Sequence, residues 1–416
     1  MTRNSERLVC LVAPGQLSAT PRLVKEADAL IASGYRVHAI TLDHFPANRA
    51  RDEEILAHVE WTATRIQPDG GVFGVARRLL QRGAQRMPND WLARFDALAA
   101  RSKEREIGKL TRAARQTEAD YYVGHCLAAL PVVAGTARER GVRFGLDLED
   151  FHEAETTDIE RDSKQQVVAR SLLGRHLPNA AHLTAASPLI AEAYERSYGV
   201  SPTVVLNVFP LNYAPAARID PGPVSGARPA VLYWVSQTIG PGRGIEEIVA
   251  ALAYVRTPVE LHLRGHVAPG YTKTLAGLAR RLGCRHAIRF LPFSSPREVV
   301  RLAAAADLGL STEQTSPLNR ALCLTNKVFI YLLAGVPQLL SETPAQSALA
   351  PALGQAGRLF QLGEPHQTAA VIDAFFSSPE RIATARRQAW DLGQTRYHWE
   401  FENELFVRAV QRAIVN

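Results

Sequence analysis

The stretch VLYWVSQTIGPGRGIEEIVAALAYV, residues 231–255, decides how the rest of the chain is read. Its first half is a β-branched and aromatic run that suits a buried strand, and its second half places apolar residues at helical spacing. Between them lies a turn of three glycines, a proline and Arg243. Glycine permits backbone conformations and close approaches that a Cβ would block. Such a turn, opening directly onto a helix, can hold an anion through backbone N–H groups, with Arg243 adding a cation. It can equally be a plain strand-to-helix connection whose glycines serve tight packing. The rest of the chain separates the two.

Downstream, ELHLRG (260–265), IRFLPF (288–293), LGLST (308–312) and VPQLLSE (336–342) are short apolar runs separated by helical patterns such as YTKTLAGLARRLG and SPREVVRLAAAA. The run ELHLRG is expected to end at Gly265 and His266, and ligands of open α/β sheets bind at such carboxyl ends. Upstream, RLVCLVAP (7–14) and YRVHAITLD (35–43) flank TPRLVKEADALIASG, in which Leu23, Ala27, Leu30 and Ile31 share a face and Gly34 marks the helix end. The alternation returns with strands near 121–123, 144–148 and 204–206. In SPLIAEAYERSYG, Ser187 caps a helix and Pro188 suits its first turn. Alternating strands and helices predict parallel sheets covered on both faces.

Residues 206–230, LNVFPLNYAPAARIDPGPVSGARPA, show neither period and are dense in proline, glycine and alanine, as expected of a linker. The predicted organisation is an N-terminal domain over 1–205, completed by a C-terminal helix at 396–416, the linker, and a second domain over 231–395. At 416 residues the chain exceeds what one core usually supports, so two domains are the natural expectation. The fold class predicted is α/β, with two Rossmann-like doubly wound domains facing a cleft. RYHWEFENELFVRAVQRAIV at the end should pack back on the first domain, with Trp399 and Phe401 as clamps.

Composition narrows the function classes. Hydrophobic content of 46% and charged content of 21% fit a soluble globular protein, and no apolar run approaches the twenty or so residues that span a bilayer. The N-terminal apolar run is too brief for a secretory signal and suits a first strand, so a cytoplasmic protein is expected. Cys10, Cys126, Cys284 and Cys323 lie far apart and suggest neither disulfides nor a zinc site. The net charge of +7, mostly from arginine, suits phosphorylated small molecules or an anionic membrane better than nucleic acid, because no aromatic-interleaved or zinc-finger pattern accompanies it. In residues 71–116, Val72, Val75, Ala76, Leu79 and Leu80 fall on one side of a helix, with Arg77, Arg78, Arg82 and Arg86 nearby. That pattern suits either a peripheral helix on an anionic membrane face or a solvated helix packed on its own domain.

The arrangement resembles the GT-B-fold glycosyltransferases, and within them family 4, whose members are retaining and use nucleotide sugars. The resemblance is most specific from SQTIGPGRGIEEIVAAL to NKVFIYLLAGVPQLL and looser in the first half. It implies that GPGRG (Gly240, Gly242, Arg243, Gly244) cradles the donor diphosphate, with Gln237 where the family usually has a second basic residue and Lys327 supplying or replacing that cation. Gly265 and Asn326 are further donor-side candidates. Glu313 matches the first glutamate of the family's pair, which contacts sugar hydroxyls. Counting back from the AGVP turn, the second falls on Ile330, a departure, since isoleucine cannot accept hydrogen bonds from ribose. Lys327 and Glu313 also have plain readings, as a surface lysine at a helix start and a solvated loop carboxylate.

In the first half, the resemblance makes Gly15, Gln16 and Ser18 contacts to donor or acceptor, and His125 a cleft-lining residue that positions the sugar. LDLEDFHEAE supplies Asp147, Glu149, Asp150 and Glu153 as acceptor-side candidates. Asp147 and Glu149 could be taken for a metal-binding pair, but the resemblance argues against a required metal. What it implies is sugar transfer from a nucleotide diphosphate sugar, UDP or GDP, to a glycan or other hydroxyl acceptor, in polysaccharide or lipid-linked glycan assembly. Ile330 motivates an alternative, a non-catalytic nucleotide- or glycan-binding or regulatory protein. A third reading, a nucleotide-sugar epimerase, would need further carboxylates facing the sugar.

Overall fold

Among the residues that the computed structural model describes, 6–156 and 163–415, every strand pair is parallel. The expected domain ends at 1–5 and 416, and residues 157–162, lie outside the described residues. The chain divides into two units, Met1–Val205 with Asn403–Asn416, and Leu206–Glu402.

The first unit holds β1 (Leu8–Val12), β2 (Arg36–Leu42), β3 (Thr62–Ile66), β4 (Tyr121–His125), β5 (Arg143–Leu148), β6 (His182–Ala185) and β7 (Thr203–Val204), in the order β3-β2-β1-β4-β5-β6-β7. Parallel neighbours need crossover connections, so apolar strands such as β1 and β4 are buried on both faces. The order reverses between β1 and β4. The sequence reading had no strand at β3 or β6. β3 is an edge strand of alternating threonine, alanine and arginine, and β6 is a short run containing His182 and Thr184, so neither carries a strong apolar signal.

The second unit holds β8 (Ala230–Ile239), β9 (Val259–Val267), β10 (Ala287–Leu291), β11 (Leu308–Ser311), β12 (Gln338–Ser341) and β13 (Gly357–Phe360), in the order β10-β9-β8-β11-β12-β13. The reversal falls between β8 and β11. The core joins Leu232 and Trp234 of β8 to Leu261, Leu310 and Leu339 of the neighbouring strands. Two details differ from the sequence reading. β9 does not end at Gly265 and His266 but runs on to Val267, because a bulge in β8 between Val235 and Thr238 restores the pairing. The short strand β13 was not anticipated.

The ends of the helices follow their chemistry. Ser187 accepts a hydrogen bond from the N–H of Ile190, and Ser295 with Glu298 forms a complete capping box. The last helix, Trp399–Val415, begins in the second unit, and from Asn403 its residues belong to the first, where Phe406 meets His182 edge-on. Trp399 is buried. Phe401, expected as a second clamp, is exposed and lies under the Arg396 guanidinium instead, on the solvent side of the helix start. Among the described residues, no helix is long and apolar enough to cross a membrane.

Candidate functional site

The glycine-rich turn leaves β8 at the point where the strand order of the second sheet reverses, the place where a parallel α/β sheet opens a crevice. Gly242 and Gly244 have φ of 68° and 71°, and Gly244 caps the helix Ile245–Leu252. A Cβ on Gly244 would lie 2.3 Å from the Thr312 carbonyl oxygen, so the turn is pressed against the end of β11 and only glycine fits. Thr312 fastens the contact. Its hydroxyl accepts from the Trp234 indole N–H at 2.9 Å and donates to the Arg243 carbonyl at 2.7 Å. On the other flank the Arg320 guanidinium donates to the Gly242 carbonyl. Two arginines therefore belong to the turn, one in it and one bonded to it.

This geometry separates contact from conformation. Gly270 also has positive φ, 78°, but nothing lies within 4 Å of its Cβ direction. Alanine in that backbone region costs about 1–2 kcal/mol wherever it sits. Gly244→Ala is expected to melt lower than Gly270→Ala by several degrees, at roughly 2–4 °C per kcal/mol. Equal losses in thermal melts would mean that the approach to Thr312 is not tight.

Beyond β11 stands Glu313. Its Oε1 lies 2.6 Å from Lys327 Nζ and accepts from the Thr325 hydroxyl at 3.0 Å. Both residues are buried, which removes the plain readings of a surface lysine and a solvated carboxylate. Burial works against the Glu313 charge, but Lys327, Thr325 and Arg243 outweigh it and hold its carboxyl below the ordinary value. The ammonium of Lys327 also lies 5.5 Å from the Trp234 ring centroid. Lys327 sits in the first turn of the helix Asn326–Leu333, whose Tyr331 packs on Gly309 and donates to the Tyr233 carbonyl at 2.9 Å. That docking fixes the lysine on β11.

The remaining donor-side candidates are less central. Gly240 is buried at the start of the turn. Gln237 is exposed and lies within the β8 bulge, before the turn begins. Gly265 faces that bulge, since a Cβ there would meet the Ser236 carbonyl oxygen at 2.3 Å, so its glycine is required by the sheet. Asn326 is half-buried beside Lys327, and Ile330 is buried among the apolar residues of its helix. Gln314, which the sequence reading passed over, has its amide nitrogen buried without a protein partner next to Gly244.

In the first unit, His125 ends β4 beside the β1–β4 reversal, and Cys126 follows with φ of 64°, the one positive φ outside glycine among the described residues. The fully buried ring has Nε2 3.3 Å from Glu26 Oε2 and Nδ1 3.6 Å from Asp147 Oδ2. Arg22 completes the group, donating to Asp147 at 2.7 and 2.8 Å and lying 3.3 Å from Glu26. Burial raises the Glu26 carboxyl to about 7, reinforced by Asp147 and opposed by His125 and Arg22. For Asp147 burial acts upward too, but Arg22 and His125 drive it well below the ordinary range. Burial would discharge His125, yet the two carboxylates raise it.

Sequence reading found His125 and Asp147 but missed Arg22 and Glu26. The signal was there: two opposite charges at i and i+4 within the apolar arc of Leu23, Ala27 and Leu30. Glu26, His125 and Asp147 bring one ligand-type atom each to within 4.8 Å of one another. Both oxygens of Asp147 already receive the Arg22 guanidinium, so the donor set fits an internal ion network rather than a divalent cation.

The other first-unit candidates are not gathered there. Gln16 is buried and spends its amide on Asp43, Asp52 and both backbone groups of Phe45, which makes it a strut of its loop. Ser18 N–H donates to Asp52 at 2.9 Å while its hydroxyl is buried without a partner. Gly15 lies against Thr20. Asp150 offers its carbonyl to the Tyr194 hydroxyl, and Glu153 accepts from Tyr198.

No protein-family model and no curated protein matches the sequence. Solved structures do match over nearly the whole chain. HepE from Anabaena, in complex with UDP and glucose, aligns with a TM-score of 0.70 at 18% identity, covering 97% of this chain and 99% of that one. Sucrose-phosphate synthase from Thermosynechococcus elongatus aligns at 0.70 and 14% identity over 98% and 99%. A glycosyltransferase from Rickettsia africae aligns at 0.66 and 10% identity over the full length of both. The fold is thus the two-unit, Rossmann-like GT-B fold of these glycosyltransferases, as the sequence predicted.

Proposed function

We propose that the protein is a glycosyltransferase, of the retaining family 4 type, that moves a hexosyl or similar sugar from a nucleotide diphosphate sugar to a hydroxyl acceptor. The observation that carries this reading is the convergence of the turn and the buried Glu313–Lys327 pair at the carboxyl ends of β8 and β11. A departing nucleoside diphosphate gains negative charge in the transition state, and preorganised N–H groups and cations in a dry site stabilise it. The turn N–H groups and Arg243 supply these, and Arg320, bonded to the Gly242 carbonyl, adds a second cation, the sequence having Gln237 where the family usually has its second basic residue. Lys327 adds a third cation, held by Glu313, whose free oxygen is left for a sugar hydroxyl.

Retention follows from front-face attack. The bond from the anomeric carbon to the phosphate oxygen breaks while the acceptor oxygen bonds on the same face, and the acceptor proton passes to the departing phosphate. Ile330 cannot hold the ribose, and the unspent amide of Gln314 takes that role. The neighbour solved with UDP supports uridine over guanosine as the base. The setting is the cytoplasm, where nucleotide sugars are made, and the product a glycan or polysaccharide.

The test is a thermal-shift panel of UDP, GDP, ADP and CDP and their sugars, with and without magnesium, on the native protein and on Arg243→Ala. A ligand at a hundred times its Kd adds roughly 2.7 kcal/mol of stability. A selective uridine shift, kept without metal and lost in the variant, is expected. No shift with any nucleotide would favour the non-catalytic reading that Ile330 motivates.

A further inference from the structure

The helix Gly71–Arg86 is built inside out for a solvated helix. Amphipathic surface helices turn their large apolar side chains inward. Here the inward side is small or charged: Gly74 and Ala84 are buried, and Arg77 pairs with Asp69 and lies 3.4 Å from Glu106. A Cβ on Gly74 would lie 2.2 Å from the carbonyl oxygen of Asp69 in the turn that leads into the helix, and Gln81 and Gln85 donate to the Lys103 and Ser102 carbonyls, which hold the helix to its own unit. The large apolar residues point away. Val72 is 83% exposed, Phe73 77%, Leu79 59% and Leu80 55%, with Val75 between them. At helical spacing these residues form one continuous arc, edged by the exposed Arg78, Arg82 and Arg86.

The next helix, Asn89–Arg94, also exposes an aromatic side chain: Trp91 is 55% exposed and stands 6.1 Å from the exposed Phe95 ring. The helix Gly71–Arg86 contains four arginines and no acidic residue. Its charge selects the occupant. A second copy docking by the same face would bring two arginine-rich helices together with no acidic residue on either to pair with them. Nucleic acid would use the cations but gain nothing from exposed valine and leucine. An anionic lipid surface uses both, because guanidinium groups bind headgroup phosphates while apolar side chains and an interfacial tryptophan enter the acyl boundary.

We propose that Gly71–Arg86 and Trp91 form a peripheral docking surface for an anionic phospholipid membrane. The inference goes beyond the transfer reading and does not depend on it, since vesicle binding needs no donor. The test is flotation of the full-length protein with vesicles of phosphatidylcholine alone and of phosphatidylcholine mixed with phosphatidylglycerol. Binding is expected only to the mixed vesicles and should weaken as salt rises. Arg78→Glu/Arg82→Glu/Arg86→Glu should bind at least roughly a hundredfold more weakly, at about fivefold per arginine. Phe73→Ser/Leu79→Ser/Leu80→Ser should lose binding while its melting temperature holds, because these side chains are exposed. Brominated lipid should quench fluorescence in the native protein and not in Trp91→Phe. Equal binding to neutral vesicles, unchanged binding by either triple variant, quenching that survives Trp91→Phe, or self-association abolished by the serine variant would each overturn the proposal.

Discussion

Lys327→Met should reduce sugar transfer by roughly two to three orders of magnitude, the usual cost of deleting one preorganised group that faces transition-state charge. Methionine keeps the length and apolar stem of the lysine and removes only the ammonium. It also leaves Glu313 buried with the Thr325 hydroxyl as its remaining close side-chain partner. Breaking a buried pair from one side typically costs about 3–5 kcal/mol. The sign of the pH dependence follows from the depressed carboxyl of Glu313. In the native protein its contribution is present above the ordinary glutamate value and lost as pH falls through the lower folded value. In the variant acidification should stabilise, because protonation relieves the uncompensated charge. The double variant Glu313→Gln/Lys327→Met separates the two roles: it should regain most of the stability and none of the transfer. Full turnover by the single variant would remove Lys327 from the site. A double variant no more stable than the single one would remove the ion pair from the account.

The second unit's candidate site was legible because each part of it is local. The turn, the helix after it and Lys327 are announced within short spans by glycine spacing and helical period, and Glu313 follows an apolar run that could only be a strand. What escaped was set by contacts distant in sequence. Thr312 bonds both Trp234 and Arg243, Arg320 reaches back to Gly242, and Gln237 falls out of place because the β8 bulge shifts the register ahead of the turn. A bulge adds a residue without altering composition, so counting along the sequence cannot see it.

The first unit was harder for the same reason. Gln16 was a candidate because the resemblance puts the first βα loop over the cleft, yet Asp43 and Phe45 after β2, and Asp52 in the helix Arg49–Leu56, consume its amide. Charged residues are read as exposed by default, and Arg22 and Glu26 break that default only because Asp147, more than a hundred residues later, faces them from β5.

Those two residues set the largest stability effect expected in the first unit. Arg22 is fully buried and spends Nε and Nη2 on Asp147 and Nη1 on the Val205 carbonyl at 2.8 Å. Arg22→Met would leave Asp147 with Thr184 at 2.7 Å and His125, and Glu26 with His125 alone among the cations named here. The loss should be about 3–5 kcal/mol near neutral pH, read as a lowered midpoint in urea. The pH dependence distinguishes charge from packing. In the native protein Asp147 titrates below its ordinary value, so its contribution is complete above that value and declines on acidification. Glu26, raised from 4.5 to about 7, works in the opposite sense and costs stability as pH rises across that window. Without Arg22 both carboxylates should bind protons more tightly in the folded state. The gap between variant and native protein should therefore be small near about pH 5 and widen toward about pH 8. A gap independent of pH would mean that Arg22 acts by filling space. A widening gap closed by adding Glu26→Gln would show that the guanidinium is there to let two carboxylates and an imidazole share one buried site, holding His125 in place at the end of β4.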